Sequence, residues 1–270
     1  MKTFRLLLRR VSLKANARIF RPRWRLRNVA LQVTAGERIG MMGANGAGKT
    51  SLARVMVRLD HPSRGRLKRR PRRSRVMLIM QRPEEHFVAP TVRDEIAGYA
   101  RRRPPVVELD RLLALVGLDP ALGDRAPRVL SSGQQRAVSI ACGLATQPAL
   151  LLLDEPMAGL DGPSRAQVMD ALRRVSETRD MAIAIISHHL DDLLGWAQRL
   201  WIMDGGQLVY DGAFRAAPLA ALTQTLDAQT PSVFLALRQL EATGYQFAPE
   251  IYDQTDAAAI AHLLDEGVAP

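Results

Sequence analysis

A single cysteine, Cys142, leaves a 270-residue chain without an intramolecular disulfide, which suits a reducing compartment. It falls in a helical Ala/Gly-rich run, so an inert core thiol is expected rather than a nucleophile. Long apolar stretches are missing too. Ala149 to Leu153, for instance, ends at once in Asp154, well short of the ~18 residues of a membrane span. Near the start the apolar core is only Leu6, Leu7 and Leu8, too short for a signal peptide. Neither membrane spanning nor export by that route is expected. Aromatic residues make up 5% of the chain, and the arginine clusters hold only one, so no interleaved base-stacking platform is apparent.

What is abundant is positive charge: 38 basic against 27 acidic residues, a net +11. Arginines gather at 64–75, 101–103 and 21–25. Such runs suit nucleic acid, an anionic lipid surface, or simply a solvated face in an arginine-rich chain. The apolar and charged fractions, 47% and 24%, are those of a globular protein. This length holds one large α/β domain plus an appendage.

The most informative stretch is GANGAGKT, residues 43–50, between an apolar strand pattern (37–42) and a helical pattern from Ser51. That frame marks a phosphate loop. Gly43, Gly46 and Gly48 remove the Cβ atoms that would keep backbone N–H groups off a phosphate chain, with Ala44, Asn45 and Ala47 between them. A helix starting near Lys49 points its positive end at the same anion. Lys49 is expected to reach the β- and γ-phosphates, and Thr50 to place its hydroxyl on Mg²⁺, with Ser51 beside them.

Upstream, residues 5–13 and 26–33 alternate as in an antiparallel β layer. Phe20 and Trp24, in an Arg/Pro loop between them, are candidates to stack on an adenine, Phe20 first. Downstream, 75–80 reads as a buried strand ending in Gln81, at the strand end where ligands collect in α/β sheets. Residues 91–126 read as helices, with Thr91 as an N-cap. Leu130 to Gln134 opens a helix placed at 136–146, and Ser131, Ser132, Gly133 and Gln134 are expected to form a second anion site.

Residues 149–153 are apolar on both strand faces, suiting the centre of a parallel sheet, and end in Asp154 and Glu155. Asp154 is placed to hold Mg²⁺ opposite Thr50, and Glu155 to orient and deprotonate a water attacking the γ-phosphate. A further helix is expected over 163–177 and a buried strand over 181–186, closing in Ser187 and His188, the latter placed to hydrogen-bond a γ-phosphate oxygen. Residues 199–210 read as a hairpin. From 213 the chain is richer in Ala, Gln and Thr and reads as helical.

In order, the phosphate loop, Gln81, LSSGQ, LLLLDEP, GLD and SH resemble the nucleotide-binding subunit of an ABC ATPase over about residues 1–215. The resemblance implies a P-loop α/β fold with an antiparallel β layer and an inserted helical subdomain at about 84–145. It implies Walker A at 43–50, the Walker B aspartate at Asp154 and the catalytic base at Glu155. Gln81 becomes the Q-loop residue on Mg²⁺, His188 the switch histidine, 130–134 the signature, and Asp161 part of the D-loop. Ser132 departs from the family's usual glycine there. In that family the signature of one subunit completes the ATP site on the phosphate loop of another, so a second ATP-binding subunit, identical or paralogous, is implied.

Residues 81–96 (QRPEEHFVAPTVRDEI) resemble the Q-loop region of energy-coupling-factor transporter ATPases, with His86 in place of a usual glutamine. Residues 230–244 resemble that branch's C-terminal helical extension, placed at 216–270. This implies an ATPase at the cytoplasmic face of the cell membrane, driving uptake of a vitamin or transition-metal ion. Its partners would be an integral membrane coupling protein and a substrate-binding membrane protein, with no nucleic acid. The alternatives are the ATPase of a conventional ABC importer or exporter and a soluble ABC protein acting on ribosomes or nucleic acid.

Overall fold

The computed structural model describes residues 3–15, 24–81, 85, 87–100, 106–178, 180–190 and 192–217. Phe20, the arginines at 101–103 and all but the first two residues of the expected C-terminal extension lie outside them.

A six-stranded sheet forms the centre: β3 (Arg38–Met42), β5 (Val76–Ile79), β6 (Leu150–Asp154), β7 (Ala182–Ile186), β8 (Arg199–Asp204) and β9 (Gln207–Ala213). Its order is β5-β6-β7-β3-β8-β9, parallel except for the antiparallel β8–β9 hairpin. Strands β6 and β7 are buried at every position. Leu151, Leu153, Ile183 and Ile185 enter one core, and Leu150, Leu152, Ala184 and Ile186 enter the other. That division follows from the two-residue repeat of a strand, which sends neighbours to opposite faces.

The first core is covered by α2 (Val92–Tyr99), α3 (Val106–Leu115), α4 (Ser132–Ala145) and α5 (Gly162–Thr178). The second lies under α1 (Lys49–Val57) and a three-stranded antiparallel sheet. That sheet joins β1 (Arg5–Lys14), β2 (Trp24–Thr34) and β4 (Arg64–Arg70) in the order β2-β1-β4. Each fully buried leucine in these layers contributes on the order of 1.5–3 kcal/mol.

Three details differ from the sequence expectations. Residues 64–70, read only as an arginine cluster, form strand β4, with Leu67 and Arg69 half-buried between exposed neighbours. Pairing with β1 overrides the low β preference of lysine and arginine. Helix α4 starts at Ser132, four residues before the expected Arg136, because Ser131 and Gln134 close a capping box. Trp24 begins β2 and is half-buried, not in a loop. The expected N-cap is present: the Thr91 hydroxyl accepts from the Asp94 amide. Cys142 is buried in α4, and desolvation pushes its thiol pKa up, as an inert thiol requires.

Candidate active site

The parallel strands end on one side in a cleft of about 670 Å³. Of the residues singled out from sequence, Asn45, Gly46, Ala47, Gly48, Lys49, Thr50, Ser51, Gln81, Asp154, Glu155 and His188 line it. Ser131 to Gln134 and Asp161 are not among its walls.

The loop between β3 and α1 takes its shape from its glycines. Gly43, Gly46 and Gly48 all have positive φ. A Cβ at 43 would collide with the Met203 carbonyl, and one at 48 would lie 2.8 Å from the Arg25 carbonyl. Nothing lies within 4 Å of a Cβ at 46, so that glycine serves backbone conformation alone. The Lys49 ammonium is buried and donates to the carbonyls of Gly43 (2.6 Å) and Ala44 (3.3 Å). Desolvation lowers its pKa, while Glu155 and Asp154 oppose that shift.

Asp154 ends β6, and Glu155 follows with φ +50°, a left-handed conformation that costs a non-glycine residue about 1–2 kcal/mol. The Glu155 amide donates to the Ile186 carbonyl, which ties the turn to the end of β7. Asp154 Oδ2 accepts from the Thr50 hydroxyl at 2.8 Å. Burial is the main force raising the Asp154 pKa, against the Thr50 bond and the Lys49 charge. Glu155 Oε2 and His188 Nδ1 are 2.7 Å apart. The segment carrying His188 is anchored by a Ser187 hydroxyl bond to buried Asp192, which also pairs with Arg165. His189 donates its amide to Ser187 and takes no place in the cleft wall.

Gln81 lies two residues past β5, and its carbonyl accepts from Arg136 Nη1 at 2.6 Å. The remaining expected residues are held at helix starts. Ser131 and Gln134 exchange backbone and side-chain bonds at the head of α4. Gly133 packs so closely on α5 that a Cβ there would lie 2.7 Å from that of Ser164. Asp161 accepts from the Ser164 amide, and the Ser164 side chain first, then this amide, holds its carboxyl below the ordinary value.

Two contributors were not singled out from sequence. Arg136 is buried in α4 and reaches Gln81; a charged residue inside an apolar helical run was the available signal. Gly206, in the β8–β9 turn, donates to the Ala47 carbonyl and accepts from the Arg27 amide. Sequence marks that turn but not which loop it touches.

This fold and cleft define a P-loop nucleoside triphosphatase of the ATP-binding cassette type. The chain belongs to the ABC transporter ATP-binding family and is an ATPase: residues 26–158 match the family model described as ABC transporter. It is 31% identical to the energy-coupling factor transporter ATP-binding protein EcfA2 of Symbiobacterium thermophilum, covering 87% of each chain. It is likewise 31% identical to EcfA2 of Lactiplantibacillus plantarum, covering 88% of each. Among solved structures, cbiO1 of Clostridium perfringens, described as part of the ABC transporter complex cbiONQ, superposes with a TM-score of 0.71. It covers 96% of this chain and 98% of that one at 21% identity. A dimeric ATP-binding cassette in a post-hydrolysis state bound to ADP and Pi gives 0.66 at 22% identity, covering 78% and 100%. At these identities the two structures speak for the fold. Among the described residues no helix is long and apolar enough to cross a membrane.

Proposed function

We propose that this chain is the ATP-hydrolysing subunit of an energy-coupling-factor type uptake transporter, docked on the cytoplasmic side of the membrane. It would comprise a cassette over 1–215, with a helical subdomain at about 84–145, and a C-terminal extension from 216. The observation that carries the chemistry is the convergence of Thr50, Asp154, Glu155 and His188 at one end of the parallel sheet, around the phosphate loop.

In this reading the backbone amides of the loop and Lys49 bind the phosphates. The hydroxyl of Thr50 and the carboxylate of Asp154 are a hard-oxygen pair suited to Mg²⁺, which takes few protein ligands beside water and phosphate. When bound, that ion would supply charge neutralisation at the β- and γ-phosphates. Glu155 orients and deprotonates the attacking water, and the imidazole of His188, bonded to it, fixes its orientation beside the γ-phosphate. Gln81 borders the same cleft, where it would help to hold that ion. Trp24 lines the same cleft and is the described aromatic residue available to an adenine, with Phe20 the other candidate.

The 131–134 segment and Asp161 lie outside the cleft wall. Their role is assigned across a head-to-tail dimer, where the N-terminus of one α4 faces the triphosphate held by the other subunit. Ser132 is exposed at that helix start and keeps a small hydroxyl where glycine is usual.

Support for a membrane partner comes from a small apolar groove beside edge strand β5, lined by Met77, Met80, Phe87 and Tyr99. Met80 in its wall is exposed, as is Val88, next in sequence to Phe87. An apolar helix of a coupling protein suits it. The names of the EcfA2 relatives favour this branch. A substrate-binding membrane protein, for a vitamin or a transition-metal ion, would complete the assembly.

The test is Glu155→Gln. It is expected to keep ATP binding and to lower turnover at least ~100-fold, the range for losing a general base. Near-normal hydrolysis by this variant would remove Glu155 from its role.

A further inference from the structure

The outer face of the β2-β1-β4 sheet carries charge of one sign only. Neither residues 3–15 nor strands β2 and β4 contain an aspartate or glutamate. Leu6 and Leu8 point into the core, which leaves Arg5 and Arg9 on the outer face of β1. Antiparallel pairing sets Arg5 opposite Arg70, Leu7 opposite Lys68 and Arg9 opposite Arg66. All five of these cations are exposed. Facing like charges, with Cβ atoms about 5 Å apart, destabilise a strand pair. No ion pair relieves them among the described residues. The acidic residues that flank these strands in the sequence are already engaged: Glu37 by Arg199 and the Thr34 amide, and Asp60 by Arg54.

The face also has built shape. Where β1 slips register between Arg9 and Ser12, Arg10 takes φ +48° and Asn28 on β2 takes φ +52°. Gly65 sits against the Arg10 carbonyl, where any side chain would collide. These distortions shape a shallow concavity of about 780 Å³ bordered by Arg9, Arg10, Arg64 and Arg66. Four guanidiniums around one hollow are a phosphate-binding arrangement, because each presents a planar fork of donors to an oxyanion.

From this juxtaposition we infer that the outer face of the antiparallel sheet binds the phosphate headgroups of an anionic membrane surface directly. The inference rests on the membrane-transporter reading and adds a second, lipid contact to the protein partner. An open field of exposed cations with no carboxylate among them can meet several headgroups of an anionic layer at once. Base stacking has no platform here. Phe4 is buried, and the aromatic residue of these strands, Trp24, lines the nucleotide cleft, with the Lys14 and Arg64 cations 5.3 and 5.5 Å from its centroid. A lipid phosphodiester between Arg9 and Arg66 turns a repulsive pair into a clamp.

The experiment is co-flotation of the purified chain, without membrane partners, with vesicles of phosphatidylcholine alone or mixed with phosphatidylglycerol. Binding is expected only to the mixed vesicles and is expected to weaken as salt rises. The double variant Arg9→Gln/Arg66→Gln should lower the partition coefficient roughly 30-fold, from two charges near the surface. Its unfolding midpoint should not fall, because a repulsive pair has gone. The equally neutralising Arg111→Gln/Arg125→Gln, on exposed helical-region arginines, should change partitioning less than ~3-fold. Equal losses from the two variants, indifference to phosphatidylglycerol, or capture by inorganic phosphate or duplex RNA in preference to vesicles would each overturn the inference. Loss of ATPase or of a co-purifying membrane subunit, with vesicle binding intact, would instead count against the transporter reading.

Discussion

Gly205 and Gly206 are neighbours in the turn between β8 and β9, both with positive φ (50° and 82°). A methyl group would meet different surroundings at each. At 205 nothing lies within 4 Å of the added Cβ. Gly205→Ala therefore adds only the left-handed conformational cost, about 1 kcal/mol. At 206 the Cβ would lie 2.7 Å from the Arg25 carbonyl oxygen and 3.3 Å from Leu26 Cα. Both are backbone atoms of β2 that cannot rotate away. Overpacking of that kind adds ~1–3 kcal/mol, so Gly206→Ala should cost ~2–4 kcal/mol in all. For a chain of this size that is a melting-point loss of roughly 4–16 °C, against ~2–4 °C at 205. The damage should also reach the cleft, since the Gly206 amide holds the Ala47 carbonyl and its Cα would be 3.4 Å from a Cβ on Gly48. About tenfold weaker ATP binding is expected at 206 and none at 205. Differential scanning fluorimetry with and without ATP, plus fluorescence titration of a nucleotide analogue, measures both. Equal melting losses, or unaltered nucleotide affinity in Gly206→Ala, would refute the bracing role.

Asp154 supplies a pH test. Burial holds its carboxyl above the ordinary value of 3.8, so the folded chain keeps that proton longer than the unfolded one. Its contribution therefore makes stability fall as pH rises from 3.8 through the folded-state value. In nucleotide-free protein, Asp154→Asn should raise the unfolding midpoint at pH 7, the gain shrinking as pH drops towards 3.8, while ATP turnover falls at least ~100-fold. A lower midpoint at pH 7 would contradict this. The shared site is tested by mixing two inactive chains. Lys49→Ala loses phosphate binding in its own loop, and Ser132→Asp places a carboxylate at the exposed head of α4 without disturbing the helix. Equimolar mixing should restore roughly a quarter of wild-type turnover, since half of the dimers would hold one intact composite site. No recovery would indicate that each chain works within itself.

Sequence made the cleft legible because its chemistry lies at strand ends, and strand ends are marked by apolar runs that stop. Asp154 and Glu155 follow four buried leucines, and His188 follows Ile183 to Ile186 by two residues. The same logic failed for β4, where six of seven residues are basic or glycine and only pairing with β1 reveals a strand. It also failed for contacts between segments distant in the chain. Nothing near Arg136 announces the carbonyl of Gln81, 55 positions earlier. Ser131 to Gln134 read from sequence as an anion site ahead of a helix at 136, yet the bonds between Ser131 and Gln134 start α4 at Ser132.

The links made by such distant residues suggest how nucleotide and groove communicate. Helix α4 carries the exposed segment at its head and, one turn in, Arg136 on the Gln81 carbonyl. Just upstream of that helix, Arg128 donates to the Phe87 carbonyl, and buried Glu95 accepts from the amides of Val88 and Ala89. Gln81 at the cleft and Phe87 to Ala89 beside the apolar groove are thus each held by the helical layer, through hydrogen bonds to charged groups worth ~1.5–3 kcal/mol each. A rigid displacement of α4, such as a second subunit's triphosphate would impose on its N-terminus, has to move Gln81 or break that bond. Because Gly133 is packed directly on Ser164, α5 and its cap Asp161 are drawn into the same displacement. In the proposed assembly the groove beside β5 would change shape when the cleft closes, and a coupling helix seated there would be pushed without any contact to the nucleotide.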